Sequence, residues 1–146
     1  MTRTQTIPAR KRRGRRGTAA TEFAIVLPLL LLLAFGCCDL GRAVAACVCV
    51  SNAARVGAEY GATHGYTSYI QPSWESQVIQ EASGEMSGTL GFNANALTVT
   101  VASSATSNNL YLVTVTATYP FSTITSWPGL PSQFNVTHTV TMQRFR

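Results

Sequence analysis

Residues 15–42 read RRGTAATEFAIVLPLLLLLAFGCCDLGR, and the reading of this stretch decides the rest. Phe23 to Cys38 is a run of sixteen residues without a charge. Such a run is predicted to cross a bilayer as a helix, bracketed by Glu22 on one side and Arg42 on the other. Sixteen residues rise only about 24 Å, against a hydrocarbon core of roughly 30 Å. The span therefore needs a thinned bilayer or a last turn reaching past Asp39, with Asp39 and Arg42 as its far boundary. Pro28 lies inside the run, where a membrane helix tolerates a kink.

Charge orients the span. The chain has 146 residues and a formal net charge of +5, but seven of its eleven basic residues (Arg3, Arg10, Lys11, Arg12, Arg13, Arg15 and Arg16) precede the apolar run and no acid lies among them. The rest of the chain sets four basic residues against six acids, a mildly acidic body that excludes a polyanion or nucleic-acid binder. A basic cluster just before an apolar span holds that end in the cytoplasm, so residues 1–17 form a basic cytoplasmic leader and the C-terminal part is extracytoplasmic. A cleaved signal peptide is the alternative, with Ala43-Val44-Ala45 as its small-residue site; a lipoprotein cut before Cys47 is another. Asp39 and Arg42 stand between the run and both sites, which argues against either. Residues that should follow the paired arginines in a twin-arginine export signal are missing.

Glu22 makes a specific demand. A carboxylate at the mouth of a membrane span is costly unless paired, so it is a functional candidate. A cut after Gly17 would give Thr18 an α-amino group four residues from Glu22, one helical turn away, where the two charges can pair within or between subunits. Glycine at that bond suits an enzyme needing an unhindered backbone.

The basic run, Gly17, Glu22-Phe23, Pro28, Asp39 followed by Gly41-Arg42, and Asn52-Ala53-Ala54-Arg55 with Gly57 and Ala58 hold both identity and spacing. Over roughly residues 15–62 the chain resembles the TadE-like minor pseudopilins of tight-adherence (Flp-type) pilus systems. The resemblance implies removal of the leader after Gly17 by an aspartic prepilin peptidase, with Gly17 and Thr18 as the processing site. It also implies a role for Glu22 and Phe23 at the new N-terminus during assembly, and association with other pilus assembly proteins or pseudopilins at the bacterial cytoplasmic membrane. Two departures are plain. The cysteine pairs Cys37-Cys38 and Cys47-x-Cys49 stand where the family more often has aliphatic or aromatic residues, and the C-terminal part matches no family motif.

Past the span, Asp39 to about Ala62 keeps helical character, alanine-rich and without proline, with Leu40, Val44, Cys47 or Val48, and Val56 spaced as a stripe. Gly57, Gly61 and Gly65 fall on one face and would let another helix approach closely. A helical region over 18–65 therefore precedes an extracytoplasmic domain over 66–146. In that domain, residues 72–88 are predicted to be a short amphipathic helix burying Trp74, Val78, Ile79 and Ala82, stopped by Gly84 or Gly88. Residues 96–102, 110–119 and 134–142 alternate as strands, joined by a polar turn at 103–109 and a loop at 120–131. The fold class is α+β: a long N-terminal transmembrane helix, a short helix and a small three-stranded antiparallel sheet, a pilin-like arrangement in which the sheet packs on the outer half of the long helix.

No catalytic constellation is legible. His64 and His138 are the only histidines and lie far apart in the chain, Glu81 and Glu85 read as a solvated helix face, and the cysteines lack metal-ligand spacing. The expectation is a protein that is not an enzyme, with no cofactor and no metal. The competing functional class is a single-pass membrane anchor carrying a small extracytoplasmic binding domain.

Overall fold

A computed structural model describes residues 15–65, 70–87, 91–105, 110–126 and 129–145. Most of the basic leader, the end of the expected helix at Gly88, part of the polar turn, and Trp127-Pro128 lie outside the described residues. The elements are helix α1 (Arg15–Thr63), helix α2 (Gln71–Ser87), and strands β1 (Thr98–Ala105), β2 (Leu110–Ser122) and β3 (Gln133–Phe145). The class is the α+β one expected. By packing, the chain divides into two units, 1–37 and 38–146, so residues 38–63 of α1 fold together with α2 and the sheet.

In the first unit, α1 passes through Pro28 without ending. Phe23, Ile25, Leu29 and Leu33 are all exposed on this helix, which is long and apolar enough to cross a membrane. In the second unit, α1 buries a stripe of small side chains: Ala46, Val50, Ala53, Ala54, Gly57, Ala58 and Gly61. The larger stripe of Leu40, Val44, Cys47 and Val48 stays exposed. Small residues win the buried face because a helix can approach a sheet closely only where its side chains are short. A Cβ on Gly57 would lie 3.1 Å from the Ala82 Cβ and 3.2 Å from Val115, and one on Gly61 only 2.8 Å from Val113 and 3.2 Å from the Trp74 ring. The glycine face read from the sequence as a meeting place for another helix is thus occupied by the chain's own α2 and β2. Gly65 lies beyond the helix end. That end is made locally: Thr63 Oγ1 donates to the carbonyl oxygens of Glu59 or Tyr60, and the His64 amide donates to Tyr60 O.

Helix α2 buries Trp74, Val78, Ala82 and Met86, a line of residues four apart. Ile79, expected on that face, is 38% exposed because it stands about 100° around the helix from Val78. Two polar links hold α2 to the end of α1: Trp74 Nε1 donates to His64 O at 2.7 Å and Tyr60 Oη to Gln77 Oε1 at 2.9 Å.

The sheet has the order β1-β2-β3, antiparallel throughout. Its inner face carries Val99, then Val113, Val115, Ala117, Tyr119 and Phe121, then Val136, all buried, with Val101, Val140 and Met142 partly so. Val113 thus points inward, while its neighbour Leu112 is only half-buried. The outer face is a register of hydroxyls: Thr98, Thr118 and Thr137 lie abreast, as do Thr100, Thr116 and Thr139, with Thr114 beside Thr141. The β2–β3 pairs hydrogen-bond through Oγ1 at 2.9–3.1 Å. Threonine is the residue for this face because its branched Cβ suits a strand and its hydroxyl suits water or a neighbour.

Several boundaries move from the sequence expectation, and Ser103 to Ala105, expected in the polar turn, extend β1 because they pair with Tyr111 to Val113 of β2. Ala96 belongs to a single 3-10 turn, Ala94–Ala96, capped by the Asn93 side chain, so β1 starts two residues later. Strand β3 runs on to Phe145. Pro120 to Ser122, expected in a loop, extend β2; they lie beyond the Thr98–Thr118 pair where β1 begins, so β2 there is paired only to β3 and a residue without an N–H is tolerated. The β2–β3 connection is then residues 123–132, turned in part by Gly129 at φ +84°.

Gly61→Ala sets a gain in helix propensity of about 1 kcal/mol against an overpacking cost of about 1–3 kcal/mol. Between Val113 and Trp74 the second term wins, so Gly61→Ala is predicted to destabilise by about 1–2 kcal/mol. Gly84→Ala, in α2 with nothing near its Cβ position, is predicted to stabilise by about 0.5–1 kcal/mol. Denaturant unfolding of the detergent-solubilised protein measures both.

Candidate functional site

The predicted processing bond and the acid beside it lie on the first two turns of α1. Gly17 is helical, exposed, and has nothing within 4 Å of where a Cβ would stand. Thr18 and Glu22 are both exposed and, being four apart on one helix, share a face one turn from each other. Thr21 Oγ1 donates back to Thr18 O at 2.8 Å, which leaves the Glu22 carboxylate outside that local bond. Phe23 is exposed. The residues expected to act together are thus adjacent on one accessible helix end, where a new amine at Thr18 would come within a turn of Glu22.

The second pair, Asp39 and Arg42, is placed quite differently. Asp39 is only 5% exposed, the buried charged residue among those described. Its Oδ1 accepts the Ile124 amide at 2.9 Å and its Oδ2 the Thr125 amide at 3.2 Å. Arg42, one turn on, donates through Nη1 to Asp39 Oδ1 at 3.3 Å and to Ser122 O at 3.3 Å, and its guanidinium lies 5.2 Å from the centre of the Phe121 ring. The pair that the sequence suggests as a membrane boundary thus also fastens the start of the β2–β3 connection to α1. A carboxylate meets both amides at once because it offers two oxygens, each with free lone pairs. Sequence reasoning missed this partner because Ile124 and Thr125 lie 85 and 86 residues away and contribute only backbone N–H groups, which no residue pattern marks.

The cysteines do not assemble. Cys37, Cys38 and Cys47 are exposed, Cys49 is half-buried, and none is bonded to another. Among the described residues no group of three or more His, Cys, Asp or Glu is arranged to hold a metal ion. His64 stacks on Tyr60, ring centres 4.0 Å apart, while His138 stands exposed on β3 opposite Ala117.

These features define a class: an α+β protein carrying one N-terminal helix long and apolar enough to span a membrane. Residues 17–59 match the family described as TadE-like protein, a stretch that lies within α1 and includes neither α2 nor the sheet. The resemblance read from residues 15–62 therefore stands, and its coarse meaning is a pilus-related component with an N-terminal apolar helix. No curated protein and no solved structure matches the chain.

Asp39→Ala strips two backbone amides of a charged acceptor and leaves Arg42 without its carboxylate. It is predicted to cost about 2–4 kcal/mol. Arg42→Gln, at a side chain 42% exposed, should cost under about 1 kcal/mol. Hydrogen exchange separates a local from a general effect: in Asp39→Ala the Ile124 and Thr125 amides lose protection first, while the central β2–β3 amides keep theirs.

Proposed function

We propose that the chain is a minor pseudopilin or assembly component of a tight-adherence pilus, anchored in the bacterial cytoplasmic membrane and processed after Gly17 by a prepilin peptidase. The observation that supports the proposal is the family match over residues 17–59, which begins at Gly17 and lies within α1. The placement of Thr18 and Glu22 one turn apart on the exposed start of that helix supports it chemically.

Before processing, the leader's positive charges hold the N-terminus on the cytoplasmic side. Hydrolysis of the Gly17–Thr18 peptide bond adds water across it, leaving a carboxylate on the leader and an ammonium on Thr18. The mature helix then begins with a cation whose counter-charge is already in place at Glu22. In hydrocarbon, pairing the two removes most of the cost of carrying either, so the trimmed chain can enter a packed membrane assembly that the untrimmed one cannot. Since the bond lies within the helix, the peptidase has to open the first turn of α1; the absence of a side chain at Gly17 eases this. The role assigned to the protein is structural, with other pilus components and the peptidase as partners and no reaction of its own. The face of the sheet turned from the core, uncharged and threonine-lined, is left for contacts outside the membrane.

Intact mass of the protein isolated from its native host tests the reading. A chain starting at Thr18 is expected; one starting at Met1, or near Cys47, overturns it. Glu22→Gln is expected to leave membrane insertion unchanged and lower assembly roughly tenfold, the factor that about 1.4 kcal/mol of lost pairing produces. A passive anchor would be indifferent to the change.

A further inference from the structure

Two strands of the sheet have a side without a neighbour. In the order β1-β2-β3 both β1 and β3 are end strands, and among the described residues neither residues 98–102 of β1 nor residues 133–143 of β3 pair with any strand but β2. An end strand presents a row of backbone N–H and C=O groups that a further strand can pair with, and folded chains commonly block it with a charge, a proline, a bulge or a very short strand. None of these devices is present here. Strand β3 has 13 residues, where a strand usually has roughly five or six. Residues 98–105 and 133–143 contain no Asp, Glu, Lys, Arg or Pro, and both strands pair with β2 one residue to one, without a bulge. On the inner face, several side chains along β3 are poorly covered: Phe134 is 40% exposed, His138 is exposed, and Val140 and Met142 are half-buried.

We propose that β3 of one copy takes β1 of a second copy as its next strand, in parallel, so that chains anchored in one membrane stand side by side with their sheets continuous. The added strand must be uncharged and alternate hydroxyl with apolar side chains, because β3 sets Thr137, Thr139 and Thr141 on the outer face and Val136 and Val140 on the inner. Strand β1 has that pattern, with Thr98 and Thr100 outward and Val99 and Val101 inward. Like then meets like on both faces: valine beside valine, and threonine beside threonine, as β2 and β3 already stand with their Oγ1 atoms 2.9–3.1 Å apart. A slip of one residue would turn the apolar row outward, so only even shifts keep the match. Direction follows from the sheet. Strand β2 is antiparallel to both neighbours, so β1 and β3 run in the same sense, and a copy displaced sideways without being turned brings its β1 to β3 in parallel. Copies held in one membrane by the same helix are related in this way at any angle between span and domain. Antiparallel pairing of β3 with a second β3 would rotate one copy by half a turn about the sheet normal, which a single membrane allows only with the sheet parallel to its plane. The sense of pairing therefore rests on the proposed membrane anchoring, whereas the match of the two edges does not. Each added copy leaves one edge free, so the arrangement repeats.

The test uses the full chain in vesicles of phosphatidylcholine and phosphatidylglycerol, with the four native cysteines replaced by alanine. Thr98→Cys or Thr100→Cys is mixed in turn with a chain carrying Asn135→Cys, Thr137→Cys, Thr139→Cys or Thr141→Cys, and disulfide-linked dimer is measured after oxidation with copper phenanthroline. Parallel pairing expects the best mixture to exceed either variant alone by several-fold, with the best partner of Thr100 lying two residues after the best partner of Thr98. The opposite order overturns the proposal, as does Thr139→Cys alone giving as much dimer as the best mixture, or a chain that floats with the vesicles and yields no mixed dimer. A chain that does not float with the vesicles overturns the membrane anchoring and the parallel sense with it. Should the cysteine-free chain fail to fold, hydrogen exchange on the native chain supplies the check. Amides within residues 98–102 and 133–143 are expected to gain protection as the protein-to-lipid ratio rises, while those of β2 stay unchanged; a gain missing at either edge overturns the proposal.

Discussion

Where α1 becomes part of the folded unit, one of its sides has to be met by protein atoms, and in this chain that begins at Asp39. From Phe23 to Cys38, α1 carries no charge and is exposed apart from a half-buried Gly36. From Asp39 onward, one side of the helix is covered by α2 and the sheet. The carboxylate that marks the change is held by two backbone amides of the β2–β3 connection, so the far end of the hairpin is fastened to the first turn of the folded unit. Burying a carboxylate is costly, and here the cost is offset by bonds from donors that would otherwise need water.

The remainder of the domain is built to let that helix come close. The buried stripe from Ala46 to Gly61 contains no side chain larger than valine, and at Gly57 and Gly61 the neighbours Ala82, Val113, Val115 and Trp74 fill the room a side chain would take. A three-stranded sheet with one apolar face is about the smallest that holds together, and only when packed on something. Here α1 and α2 are that something. The two core clusters, one around Met86 and Phe121 and the other around Trp74 and Val113, both include residues of α1. The pilus-related reading attaches to the helix, where the family match lies, while the domain gives that helix one covered side and one free side.

Much of this was legible in the order of residues because the signals are local. A charge-free run, a basic cluster before it, period-two alternation in three stretches and a threonine-rich opposite face need no knowledge of distant partners. The same holds for Thr18 and Glu22, whose relation follows from helical spacing alone. What was misread depends on partners. Ile79 and Met86 are comparable apolar candidates for the buried side of α2, and only the i, i+4 line chosen by contact with α1 and the sheet separates them. Pro120 reads as a loop residue until it is known that β1 begins only at Thr98, which frees that stretch of β2 on one side.

By itself, the sequence determined the class of the fold, a first helix long and apolar enough to cross a membrane, the placing of the basic residues before the apolar run, and the neighbourhood of Gly17 and Glu22, because each rests on spacings of a few residues along one element. Only the tertiary structure decided which face of α1 is covered, that the glycines serve the chain's own α2 and sheet, and that Asp39 faces inward to two amides 85 and 86 residues away. The reason is physical: backbone amides and close approaches have no signature in side-chain identity, and exist only once the chain has brought its distant parts together.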